Sequence, residues 1–144
     1  MSIIRVRVRR MRHNAQLPSY QTEGAAGFDL AAAADLVVPP GEVRLVPTGL
    51  VVEVPAGMFL GVFARSSTPL KRGLMVANGV GVIDPDYCGP DDEVKIQVLN
   101  FSREPVEIKI GDRIAQGIFL PATRVTWDEV DSLRADSQGG FGTT

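Results

Sequence analysis

Apolar runs in this chain are short and rich in Val, Ile and Leu, and Gly or Pro separates most of them. Brief β-branched runs suit a pleated, half-buried surface, whereas Gly and Pro interrupt a helix or a central strand. The runs are Ile3–Val8, Gly24–Leu30, Val37–Val38, Val43–Val46, Gly49–Val54, Met58–Ala64, Val80–Ile83, Val94–Leu99, Val106–Ile110 and Ile114–Leu120. Strands so short and so regularly punctuated predict an all-β domain, arranged as a sandwich, jelly roll or barrel. In the first run Ile4, Val6 and Val8 alternate with Arg5, Arg7 and Arg9. That alternation predicts a half-buried strand with a solvated basic face, ahead of a nucleic-acid-binding arm extended by Arg10, Arg12 and His13. Helical turns fit at Thr68–Leu74, after the cap residues Ser66 and Ser67 and with Pro69 in the first turn, and at Trp127–Leu133. From Ser137 the chain reads SQGGFGTT, a mobile glycine-rich tail.

A length of 144 residues predicts one domain with a real core. A formal charge of −2 argues against broad binding to a nucleic-acid backbone, while leaving room for a small phosphate-bearing ligand held by a few local cations. The single cysteine, Cys88, excludes an internal disulfide and predicts a reducing compartment. No apolar run reaches the ~18 residues of a membrane span, and no signal-peptide pattern opens the chain, so a cytoplasmic location is expected.

The densest chemistry lies in Asn78–Gly89, NGVGVIDPDYCG. Asn-Gly between apolar runs predicts a hairpin, whose exposed backbone groups can read the edge of a planar ligand. Asp84 follows as a carboxylate on a stiff strand, and Tyr87 supplies a flat face. Arg65-Ser66-Ser67 combines a guanidinium, two hydroxyls and a helical start, which suits an anion as well as a plain capped helix. Asp29 in GFDL reads as a turn-former or a metal partner. Gly111–Gln116 reads as a turn feeding a strand. Phe141 between glycines could fold over a base as a lid. His13 and Cys88 carry no partner pattern and read as surface residues, and Trp127 as packing against the body or a neighbouring subunit.

In this order, five segments resemble the trimeric dUTP diphosphatases: AGFDLAAA (Ala26–Ala33), ARSSTPLKRGL (Ala64–Leu74), NGVGVIDPDYCG (Asn78–Gly89), GDRIAQGIF (Gly111–Phe119) and GGFGTT (Gly139–Thr144). The upstream LPSYQTEGA is similar to the same family. The resemblance implies a jelly-roll-like, distorted β-barrel over residues 1–136 with one short helical segment, and a tail, 137–144, closing over the active site. It implies a homotrimer with sites between subunits, and Mg²⁺-dependent hydrolysis of dUTP to dUMP and pyrophosphate.

Carried onto this sequence, the resemblance implies that Asn78 and the backbone around it, Gly79 and Val82 included, read uracil. Tyr87 would pack under the deoxyribose and leave no room for a 2′-hydroxyl. Asp84 would bind the 3′-hydroxyl and activate the attacking water. Arg65, Ser66 and Ser67 would hold phosphates, and Gln116 the α-phosphate region. Asp29 would hydrogen-bond waters on Mg²⁺, and Phe141 would stack on the base. This chain departs from the family in three places. Gln138 stands where an arginine usually precedes Gly-Gly, the tail is minimal, and Cys88–Glu93 is longer and more acidic than the usual Tyr-x-Gly-Glu. That last segment reads as a solvated loop insertion. The related dCTP deaminases expect a glutamate where Gln97 stands and an arginine where Leu70 stands, which weighs against deamination; a nucleotide sensor without turnover is the non-enzymatic alternative.

Overall fold

A computed structural model describes residues 3–142. Met1, Ser2, Thr143 and Thr144, at the outer ends of the two expected units, lie outside the described residues. The described chain is built from β1 (Arg7–Arg10), β2 (Phe28–Ala31), β3 (Leu36–Val38), β4 (Val43–Pro47), β5 (Leu50–Glu53), β6 (Met58–Ala64), α1 (Ser67–Arg72), β7 (Leu74–Val76), β8 (Gly81–Ile83), β9 (Lys95–Asn100), β10 (Val106–Ile108) and β11 (Arg113–Pro121). They form four antiparallel sheets: β2-β11-β6-β8, β4-β9-β7, β1-β5 and β10-β3. The arrangement is the expected jelly-roll-like one, with sheets that stay open rather than closing into a continuous barrel.

The clearest alternation is in β9, where Ile96, Val98 and Asn100 are buried, and the largest fully buried side chains are aliphatic: Leu30, Leu60, Leu74, Ile96, Ile108 and Ile114 among them. The spine is the β11–β6 ladder, seven residue pairs from Ala115↔Ala64 to Pro121↔Met58. Gly117 in β11 has no side chain because a Cβ there would lie 2.3 Å from the Phe28 ring. Close packing leaves no room for one more carbon.

Several expectations need correction. The first strand is Arg7–Arg10, all four exposed, rather than Ile3–Val8. It is the edge of a two-stranded sheet, and Arg7 grips Glu53 through two hydrogen bonds of 2.6 and 2.8 Å. Ile3, Ile4, Val6 and Val8 instead rim an apolar cavity of about 510 Å³ that reaches in to Phe28 and Leu60. The helix ends two residues short of the expected Leu74: Gly73 adopts φ 67° and stops it, and Leu74 goes to β7, buried in the core. No Ser66 side chain caps it; Thr68, buried, accepts from the Arg65 amide at 3.2 Å and donates to the Ile114 carbonyl at 2.8 Å. Trp127–Leu133 forms no helix, and Trp127 is exposed. Every residue of this segment is exposed, and a short helix without packing is unstable.

The Asn-Gly hairpin is also corrected. Gly79 does take the left-handed φ of 75°, and its amide donates to the Val76 carbonyl at 3.0 Å. Yet β7 pairs with β9 while β8 pairs with β6, so the turn is a corner between two sheets. Nor is Cys88–Glu93 simply solvated. Glu93 is 3% exposed, and its carboxylate takes 2.8 and 3.1 Å hydrogen bonds from Arg12 and a 2.7 Å one from the Gly49 amide. Asp92 closes the loop by accepting from the Gly89 amide at 2.8 Å.

Candidate functional site

Asp29 lies within β2, not in a turn, and the β2–β11 register sets it opposite Gln116. Gln116 also pairs Phe63 of β6, so its side chain reaches the end of that strand and donates to the Ala64 carbonyl at 3.0 Å. Arg65 follows directly and extends its Nε to within 3.1 Å of Asp29 Oδ1. Arg113, at the start of β11, approaches Asp29 Oδ2 to 3.6 Å and donates to Gln21 Oε1 at 2.9 Å. Three adjacent strands thus bring Asp29, Arg65, Arg113 and Gln116 to one sheet end, with Ser66 and Ser67 just beyond. Gly27 is required there: a Cβ on it would sit 2.5 Å from Gln116 Oε1.

Two guanidiniums and an amide around one carboxylate, with two serines next along the chain, suit a polyanion accompanied by a cation. Asp29 Oδ2 is buried, yet it accepts no hydrogen bond among the described residues. Such an orphaned oxygen suits a hydrogen bond from a hydrated cation. No group of three or more His, Cys, Asp or Glu among the described residues could cage a metal directly. The fit is therefore to an ion such as Mg²⁺, which keeps its waters and takes most of its ligands from a substrate's phosphates.

The remaining expected site residues are spread from the turn before β8 to the tail. Val82 is in β8, whose register is Gly81↔Val62 and Leu60↔Ile83. Asn78 and Gly79 therefore lie toward the Ala64 end of β6, whereas Asp84 leaves β8 beyond Leu60. The ladder from Leu60 to Ala64 is about 13 Å long at ~3.3 Å per residue. Asp84 is exposed, and Tyr87 is partly so, its hydroxyl donating to the Glu93 carbonyl at 2.9 Å. Phe141 stands fully exposed at φ 51°. One chain thus groups Asp29, Arg65, Ser66, Ser67 and Gln116, and holds Asp84 and Tyr87 apart from them.

Arg113, Gln21, Gly27 and Glu93 were not singled out from the sequence as site or supporting residues. For Arg113 a signal existed, since Gln116 is three residues along the same strand from it. The contact itself depends on a register irregularity between Arg113 and Ala115 that no local pattern reveals.

An all-β fold with two guanidiniums and an amide gathered about a part-buried carboxylate suits a class: proteins that bind small polyphosphates. The comparisons narrow it. Residues 13–144 match the dUTPase family, and the chain belongs to that family. It is 46% identical to a deoxyuridine 5'-triphosphate nucleotidohydrolase of Methylocella silvestris, over 95% of this chain and 89% of that one. It is 45% identical to one of Desulfitobacterium hafniense over 100% and 98%. Among solved structures, the dUTPase from Streptococcus mutans superposes with a TM-score of 0.77 at 35% identity, covering 85% of this chain and 98% of that one. The Staphylococcus bacteriophage 80alpha dUTPase with dUPNHPP shares the fold, with a TM-score of 0.86 at 22% identity over 97% and 98%. Among the described residues no helix is long and apolar enough to cross a membrane.

Proposed function

We propose that this dUTPase converts dUTP and water into dUMP and pyrophosphate at a site assembled between copies of the chain, as a cytoplasmic homotrimer. The observation that carries the reading is the orphaned, buried Asp29 Oδ2 between Arg65 and Arg113, beside Gln116. The triphosphate lies along this cluster, with Arg65, Ser66 and Ser67 on its oxygens and Gln116 at the α-phosphate. Mg²⁺, held through water by Asp29, neutralises charge on those oxygens when bound. The Asn78-Gly79 corner and the Val82 backbone receive uracil, and Tyr87 lies under the sugar. Asp84 holds the 3′-hydroxyl and takes the proton of the water that attacks the α-phosphorus; the bond to the bridging oxygen breaks and pyrophosphate leaves. Catalysis rests on positioning and preorganised charge.

Sharing between copies is supported by the Leu60–Ala64 stretch of β6, about 13 Å long, that parts Asp84 from the Asp29 end of the sheet, and by apolar surface that one chain leaves uncovered. Val43 and Leu45 of β4 and Met75 of β7 are exposed on one sheet, and Val125, Trp127 and Val130 are exposed beyond β11. Residues 137–144 act as a closing tail that lays Phe141 on the base.

Product analysis with Mg²⁺ and, separately, dUTP, dCTP, dTTP and UTP tests the chemistry. Pyrophosphate and dUMP are expected from dUTP alone, and Asp84→Asn abolishes them; ammonia from dCTP would overturn the reading. Sharing is tested by co-refolding two inactive variants, Asp84→Asn and Asp29→Asn. Mixed assemblies regain activity if the halves come from different copies, and stay inactive if one chain supplies both.

A further inference from the structure

Glu93 is the one carboxylate in the core of the described chain, and the reaction outlined above gives it no task. Its carboxylate collects three hydrogen bonds from two other segments, two from Arg12 and one from the Gly49 amide. The neighbouring peptide is zipped to the same place. Val94 donates to the Leu50 carbonyl at 2.8 Å, and the Thr48 hydroxyl donates to the Val94 carbonyl at 2.6 Å. The carbonyl of Glu93 itself points the other way and accepts the Tyr87 hydroxyl at 2.9 Å. Between Asp84 and Glu93 the other ties of the loop are internal, apart from Arg9 donating to the Pro90 carbonyl. The loop carrying Asp84 and Tyr87 is thus fastened through a single buried anchor.

We propose that Glu93, clamped by Arg12, is a positioning residue that sets Tyr87 and thereby the discrimination between deoxyribose and ribose. This rests on the reading of Tyr87 as the floor under the sugar. The ring is held from its far end: if the Glu93 carbonyl shifts, the phenol loses its acceptor and the ring can tilt away. Space then opens where a 2′-hydroxyl is otherwise refused. The acidic lengthening at Asp91 and Asp92 leaves the anchor untouched, because Asp92 turns back onto Gly89 while Glu93 alone enters the core.

The test is the ratio of kcat/KM for dUTP to that for UTP, in wild type, Tyr87→Phe, Glu93→Gln and the double variant. Each single change is expected to lower the ratio about five- to tenfold, the worth of one net hydrogen bond. It should do so mainly through a higher kcat/KM for UTP. The double variant should fall no further, since both act on one contact. If Glu93→Gln fails to fold, Arg12→Gln tests the clamp from its more exposed side, and Arg12→Lys should recover most of the ratio. Variants with a lower Tm and an unchanged ratio would make the pair purely structural and overturn the proposal, as would additive losses in the double variant. Wild type without dUTP turnover would remove the underlying reading as well; wild type that rejects UTP while the variants keep its ratio would remove this inference alone.

Discussion

Replacing Gly27 by alanine separates the role of Gln116 from the stability of the fold. The new Cβ would lie 2.5 Å from Gln116 Oε1, 3.2 Å from its Cδ and 3.3 Å from the Gly117 carbonyl oxygen. Ordinary contact begins near 3.4 Å, so the Gln116 amide must retreat by about 0.9 Å, which also strains its 3.0 Å hydrogen bond to Ala64. Losing that bond costs about 0.5–1.5 kcal/mol. Gly27 does not use the left-handed region, so alanine restricts the unfolded chain and returns about 0.4–1 kcal/mol. The two nearly cancel, and Tm should move by less than about 4 °C. Catalysis should not be so tolerant: a misplacement of about 1 Å at a reacting centre costs up to ~100-fold. The expected result is kcat for pyrophosphate release from dUTP down about 10- to 100-fold, with a melting curve close to wild type by scanning fluorimetry. An unchanged kcat would refute the placement of Gln116 at the α-phosphate. An equal fall in Tm and activity would refute the cancellation.

Gly117→Ala presses a methyl into the Phe28 ring at 2.3 Å and should destabilise by about 1–3 kcal/mol, measured by urea unfolding. Ending the chain at Asp136 removes, among the described residues, only exposed ones, so Tm should hold while kcat/KM for dUTP falls at least tenfold, the order of one lost stacking contact on a base. The Tyr87 phenol is held above its ordinary value of 10.0, first by burial and then by Asp92 and Glu93. Its raised value means that its contribution to stability is complete below pH 10 and is lost as pH rises through the shifted value. The stability gap between wild type and Tyr87→Phe should accordingly narrow above pH 10 in denaturant titrations at stepped pH.

Much of this architecture can be read from the runs of β-branched residues. Met58–Ala64 forms a strand with those very ends, because turn residues bound it and every second side chain meets the core. The misreadings share a cause. Leu74-Met75-Val76 is three residues long and abuts a helix, so no local period separates it from the helical turn. Asn78-Gly79 has perfect turn chemistry, but which strand each flank pairs with is a non-local choice, and here the flanks join different sheets. Glu93 reads as surface beside Asp91 and Asp92; only Arg12 and Gly49, more than forty residues away, make its burial tolerable. At the candidate site, Asp29 and Gln116 are visible as residues in the sequence, while their pairing, and the part of Arg113, arise from strand register.

The spacing along β6 has a genetic meaning. If the sites straddle chains as proposed, two damaged alleles need not fail together. A copy damaged at Asp84 spoils a site that a sound neighbour half owns, and in the same assembly lends that neighbour a good phosphate end. Two differently broken copies can mend each other, while a copy broken at one end alone costs the assembly one site. Complementation in this protein would be written in the distance between two ends of one strand.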